Sequence, residues 1–388
     1  MSRIVKTKSA KAHPKTHIFH IIPNAHLDPV WFWDWREGLN EELGMRNTNA
    51  CVVITTINPP TAAVLGYIAI PAVDVIIVAD RKTPDAAYAG LDCDFLSLAR
   101  QQSLAPKLDA LLPYDHYARK NMGYLYAIRA GYDVIVESDD DNIPCENWES
   151  ASLLPEGLVG ASHFVVGGSL PVNPYQWFTD AHVWPRGLPL RRVLDSDSRQ
   201  RTSPVASTGF FDDVSILQGL ADGDPDVDAI FRLTSRSSLQ LLTFEKTNSY
   251  YKIGPAAFCP ANTQNTVWRD RRDFPSLYLP SYVSFRFCDI LKMYVAQALL
   301  RRNGRSLVLQ GATVLQDRNP HDFFADYLDE REMYLHVDRL IALLDDLVGV
   351  LEPGSRGLVP LYATLVAEGI VKDPREVAVL EAWLAAVG

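Results

Sequence analysis

Four short runs set the tightest limit on what this chain can fold into: CVVIT from Cys51, VDVIIVAD from Val73, DFLSL from Asp94 and DVIVESD from Asp133. Each is too short for a helix, and each is apolar enough to be a strand buried on both faces. The first stops at Pro59 and Pro60, whose rings forbid both a helix and further ladder pairing. Before the last run lies DHYARKNMGYLYAIRAG, where Ala118, Met122, Leu125 and Ile128 recur at helical spacing and Gly131 suits a left-handed cap. Strands alternating with helices predict a mostly parallel α/β sheet, and such sheets collect ligands beyond the carboxyl ends of their strands. Thr55, Thr56, Asp80 and the triplet Asp139, Asp140 and Asp141 would then share one edge. Carboxylates converging there repel one another unless a cation sits between them, and their hard oxygens suit Mn²⁺ or Mg²⁺. An acidic turn facing solvent is the alternative.

Charge narrows the partners. With 47 acidic against 37 basic residues the formal charge is -10, which opposes binding to nucleic acid or to an anionic membrane. Small phosphorylated ligands stay open, because a local cation outweighs a modest negative field. Five scattered cysteines with no C-x-x-C pair predict a reducing, cytoplasmic setting. The most apolar window, from Ala62, is cut by Pro71 and Asp74, well short of the roughly 20 apolar residues of a membrane span. Residues 1–16 read as a basic tail.

The segment ARKNMGYLYAIRAGYDVIVESDDDN resembles the part of GT-A-type glycosyltransferases in which a helix with small residues leads into a buried strand and an Asp-x-Asp motif. More widely, VVITTINPPT, VIIVADRKTP, DPDVDAIFRLT, NTQNTVW, LYLPSYVSFRFCDILKMYVAQ and QDRNPHD resemble, in order, the STELLO-type glycosyltransferases, from about Ala50 to about His336. The resemblance implies a GT-A-like sheet over residues 46–285, flanked by helices and followed by a helical part over 286–388. It also implies a nucleotide-sugar donor, a uridine one by family analogy, and an acceptor that is a carbohydrate, a protein or a small molecule.

Laid on the residues, the resemblance gives Asp139 and Asp141 to the metal, with Asp140 facing away if the strand continues. It gives Thr55, Thr56 and Asp80 to the nucleoside, and a third metal ligand to His321, in a polar cluster with Arg318 and Asp322. Arg81 and Lys82 after the second run, and Arg119 and Lys120 at the helix start, are placed to meet phosphate oxygens, or else are surface charges. Asp226 and Asp228 are candidates for a general base that takes the acceptor proton, although Pro225 makes a turn equally apt. Asn262 and Asn265 offer amides to sugar hydroxyls, or form a turn.

Two stretches stand outside this frame. The runs from Phe285, from Arg331 and after Asp373–Pro374 predict packing helices. Residues 17–42, around NAHLDPVW, resemble the opening of glycoside hydrolase family 38 α-mannosidases, in which His26 and Asp28 would be zinc ligands. Two ligands fall short of a catalytic zinc site, so 17–45 reads as an appended segment. The functional expectation is a metal-dependent transferase. A non-catalytic nucleotide-binding scaffold and a nucleotide-sugar mutase are the alternatives.

Overall fold

The computed structural model describes residues 49–388, apart from 169–170, 236–241, 245–247 and 319–321. The basic tail, the mannosidase-like segment with His26 and Asp28, and His321 lie outside the described residues. All four apolar runs form strands: β1 (Ala50–Thr56), β2 (Asp74–Ala79), β3 (Asp94–Leu96) and β4 (Val134–Asp139). They pair in parallel in the order β3-β2-β1-β4. The first connection runs through α1 (Ala62–Ile68), the second pair is followed by α2 (Leu98–Leu104) and α3 (Pro106–Leu111), and α4 (Lys120–Ala130) feeds β4.

Alternation of side chains assigns these strands to two cores. Cys51, Val53, Ile76 and Val78 pack with Met122 and Leu125 of α4, whereas Val52, Ile54 and Ile77 pack with Val64 and Tyr67 of α1. Both faces are therefore covered, which is why the runs read as continuously apolar. Gly131 ends α4 at φ 87°, as its position suggested. Gly123 lets that helix lie close on the sheet: a Cβ there would come within 2.5 Å of both Val53 Cγ1 and Val78 Cγ2.

Beyond β4 the sheet becomes mixed. After β5 (Asn142–Pro144) and α5 (Trp148–Ser152), the chain lays down β6 (Ser162–Val166), β7 (Thr202–Pro204), β8 (Val214–Gly223), α6 (Ala229–Thr234), β9 (Ser249–Ile253) and β10 (Asn265–Trp268). Strand β10 runs antiparallel between β4 and β8 and stitches the two halves together. Next come α7 (Cys288–Arg302), β11 (Ser306–Gln316), α8 (Phe323–Leu347), α9 (Leu358–Ala367) and α10 (Arg375–Val387). The order continues β4-β10-β8-β11-β9-β6-β7, with β5 also on β11, and parallel ladders carry most of the paired residues.

The segment expected to be wholly helical contains β11, whose apolar run is parallel to β8 and buried between β8 and β9. Thr48–Gly388 clusters as one unit, with no break near residue 285. Helix α8 starts eight residues before the run from Arg331, because Asp322 caps it by accepting from the Phe324 and Ala325 N–H groups at 2.9 and 3.2 Å. Asp373 accepts from the Arg375 N–H at 2.9 Å and opens α10.

A buried ion pair lies beneath the end of β4. Glu137, without solvent exposure, accepts from Tyr124 of α4, from Lys292 of α7 and from Trp268 Nε1 of β10, the last at 2.7 Å. Burial pulls the Lys292 ammonium below its ordinary value, and Glu137 draws it back up. Lys292→Met leaves that carboxylate uncompensated and lowers unfolding free energy by about 3–5 kcal/mol, read from urea denaturation. Gly123→Ala overpacks α4 against β1 and β2 and costs about 1–3 kcal/mol in the same measurement.

Candidate active site

A cavity of about 330 Å³ opens where β1, β2 and β4 end, at the point where the strand order reverses. One wall comes from these strand ends and carries Thr55, Thr56, Asn58, Asp80, Lys82, Asp139, Asp140 and Asp141. The opposite wall comes from later chain and includes Arg186, Asp226, Arg286, Asp289, Gln316 and Arg318. His116, Tyr117 and Phe285 close one side.

All three aspartates line the cavity, Asp140 included. The expectation that Asp140 faces away assumed a continuing strand, but β4 ends at Asp139 and the chain turns at 140–141. Asp140 accepts from Thr56 Oγ1 and, at 3.0 Å, from Asn58 Nδ2, while Thr61 Oγ1 donates to its carbonyl at 2.5 Å. Asp139 accepts from Tyr117 Oη at 2.5 Å and from Lys120 Nζ at 2.9 Å. Asp141 accepts from Asn142 Nδ2 at 2.8 Å and from Gln316 Nε2 at 3.2 Å. Burial, and then the charge of Asp139, push the Asp141 carboxyl up to about 7. Such crowding of hard oxygens fits a divalent cation. Among the described residues no three acidic, His or Cys side chains gather into a ready cage.

The other expected residues separate into those in the cavity and those spent elsewhere. Thr55 lines it with its buried Oγ1 unpartnered, and Asp80 is fixed by the Arg81 and His116 N–H groups at 2.7 and 3.2 Å. Lys82 lines it too. Arg81 is not part of the lining; it lies 3.7 Å from Asp115 with its guanidinium over the Tyr114 ring. Arg119 is wholly buried with Gln101 and Asp109, a structural pairing at 2.6 Å that leaves it no route to a phosphate. Lys120 sits behind the triplet, bonding Asp139 and, at 2.5 Å, the Ser138 carbonyl, so it props a carboxylate and does not face the cavity. Asn265 is buried on Trp148, Thr313 and the Leu220 carbonyl, and Asn262 bonds Gln218, Gln264 and Asp226; neither lines the cavity.

The candidate bases are likewise committed. Asp226 lies on the cavity wall, but Arg186 grips both its oxygens at 2.9 Å and also binds Asp289. Burial alone would raise its carboxyl; the Arg186 charge outweighs that and holds it well below the usual carboxylate range, which makes it a weak proton acceptor. Asp228 is outside the cavity lining, at the N-cap of α6, accepting from the Phe231 N–H and from Trp184 Nε1, both at 2.7 Å. Sequence reasoning missed His116, Tyr117, Arg186, Arg286 and Asp289. The signal present for the two arginines was a lone cation in an apolar setting, WPRGLP and SFRFCD, which marks a cation that must be paired once buried.

Burial pushes the Asp228 carboxyl up to about 7, partly offset by its two hydrogen bonds. A folded value above the roughly 3.9 of free aspartate means that its stabilisation is full below that pH and lost as pH rises through about 7. Asn caps as well as Asp. Asp228→Asn therefore flattens the fall in stability between about pH 4 and about pH 7 in denaturation series, and leaves ligand affinity unchanged. A catalytic or ligand-binding Asp228 predicts a change in affinity or turnover instead.

No family model matches the chain. Two curated plant proteins do, Probable glycosyltransferase STELLO1 and Probable glycosyltransferase STELLO2 of Arabidopsis thaliana, each 28% identical over 309 residues. The match covers 76% of this chain, which spans about two-fifths of the length of those relatives, 39% of each. Similar solved structures include glucosyl-3-phosphoglycerate synthase from Mycobacterium tuberculosis in complex with Mn²⁺, UDP-glucose and glycerol 3-phosphate, 13% identical, covering 83% of this chain and 87% of that one at a TM-score of 0.37. A mannosyltransferase from Pyrobaculum calidifontis in complex with GDP-Man and Mn²⁺ is 9% identical, covering 87% of this chain and 86% of that one at a TM-score of 0.34. Over most of its length, then, the chain is similar in sequence to the STELLO-type glycosyltransferases.

Proposed function

We propose that the protein transfers a sugar from a nucleoside-diphosphate donor, a uridine one, to an acceptor, with Mn²⁺ or Mg²⁺ held by Asp139 and Asp141. The observation that carries this reading is the aspartate triplet at the end of the central strand β4, facing a cavity at the sheet's switch point. The sequence likeness to glycosyltransferases supports it.

In this reading Thr55, Thr56, Asn58 and Asp80, at the ends of β1 and β2, hold the nucleoside. Asp139 and Asp141 would hold the ion, which when bound would supply positive charge against that developing on the leaving phosphate. Lys120 and Tyr117 fix the Asp139 carboxylate from behind, and Gln316 orients Asp141, so the oxygens are set before the donor arrives. Asp226 acts as counter-ion to Arg186, and its depressed basicity leaves it unsuited to taking the acceptor proton. Among the described residues no helix is long and apolar enough to cross a membrane.

Calorimetric titration of UDP and GDP, with and without Mn²⁺, tests this. The expected result is manganese-dependent binding of UDP, weakened by about 100-fold or more in Asp139→Ala/Asp141→Ala, on the order of 3 kcal/mol. If neither nucleotide binds folded wild-type protein under any metal condition, the transferase reading fails.

A further inference from the structure

The geometry of the far wall points to an acceptor that carries an anionic group, a phosphate or a carboxylate, seated by Arg318 together with Arg286. This rests on the transferase reading and adds the chemical class of the second substrate. Arg318 lies two residues past the end of β11, and its side chain is only 5% exposed. Among the described residues its Nε and Nη1 are buried without a hydrogen-bond partner. The nearest carboxylates stand off at 3.7 Å (Asp224) and 3.9 Å (Asp226). Both are already engaged, Asp224 by Arg232 at 2.6 Å and Asp226 by Arg186 and Asn262 at 2.9 Å.

Arg286, on the same wall, has Nε on Glu330 at 2.7 Å and Nη1 at 3.4 Å from Asp326, while Nη2 is buried and unpartnered. Leaving such donors unsatisfied is costly, and a guanidinium fork is shaped for an oxyanion. Burial and the neighbouring Arg232 push the Arg318 guanidinium below its ordinary value, so an arriving anion relieves a cation that its surroundings undercompensate.

Placement assigns this seat to the acceptor. The nucleoside cradle and the triplet come from β1, β2 and β4, whereas Arg286 and Arg318 come from the approach to α7 and the end of β11, in the other half of the sheet. Charge on the donor diphosphate is met by the ion at Asp139 and Asp141. A second set of free cationic donors across the cavity calls for a second anion. Gln316, bonded to Asp141 and two residues from Arg318, marks where the two walls meet.

The test uses the whole 388-residue chain and sulfate as the probe, titrated into wild type, Arg318→Gln, Arg318→Lys and Arg286→Gln, each with and without saturating UDP and Mg²⁺. Sulfate is expected to bind nucleotide-loaded wild type and to weaken by about 10-fold or more in R318Q and R286Q, as the loss of a charge-assisted pair predicts. R318K keeps the charge without the fork and falls between, and serves if R318Q does not fold. UDP affinity is expected to stay within about 2-fold in R318Q, well under the tenfold that 1.4 kcal/mol represents. Unchanged sulfate affinity in R318Q overturns the seat. Sulfate competing with UDP, with UDP affinity lost in R318Q, also overturns the proposal by giving the guanidinium to the donor diphosphate. Absence of UDP binding in wild type removes the transferase reading separately, and sulfate on nucleotide-free protein still decides whether the seat exists.

Discussion

The fully buried Glu137 carboxylate, two residues before the aspartate triplet, fixes the rest of the molecule in place. Its oxygens take Tyr124 from α4, Trp268 from β10 and Lys292 from α7, so a helix from the first half, the stitching strand and a helix from the second half all register on one point of β4. Asp139 lies two positions further along that strand and therefore points to the same face. A charge this deep tolerates little displacement, since any lost partner leaves it uncompensated. The site inherits that rigidity.

Around that point the cavity separates two kinds of charge. Carboxylates crowd one wall, while guanidinium groups with spare donors line the other. Arg186 belongs to the second wall in position but is saturated by Asp226 and Asp289, and it serves as the keystone that joins β8's exit to α7. The guanidinium groups of Arg286 and Arg318 are enclosed, and a net charge of -10 opposes the approach of polyanions to them.

Local pattern made much of this legible. The apolar runs, Gly131 as a cap, and the placement of Thr55, Thr56, Asp80, Asp139 and Asp141 at one edge follow from spacing and strand ends, and the structure puts all five in the cavity. What stayed hidden depends on contacts distant in sequence. Arg119 read as a phosphate ligand because nothing nearby reveals Gln101 and Asp109 waiting for it. Asp228 read as a base because an N-cap is recognisable only once α6 is known to start at Ala229. Strand β11 was absorbed into a helical segment because SLVLQGATVLQ lies between two helices, and only its pairing with β8 and β9 makes it a strand.

Strand β11 also carries a kinetic consequence. Its end holds Gln316 against Asp141 across 175 residues of sequence, and its register with β8 slips at Gln310/Ala312 and again at Ala312/Val314. Such bulges bend a strand and re-aim its last side chains. Closing so long a loop is slow, and the correct offset must be found among neighbouring ones. The first four strands and α4 can assemble from nearby chain, but the far wall lacks Gln316 and Arg318 until β11 docks in the shifted register. Completion of that wall therefore rests on a contact that no short stretch of sequence can form on its own.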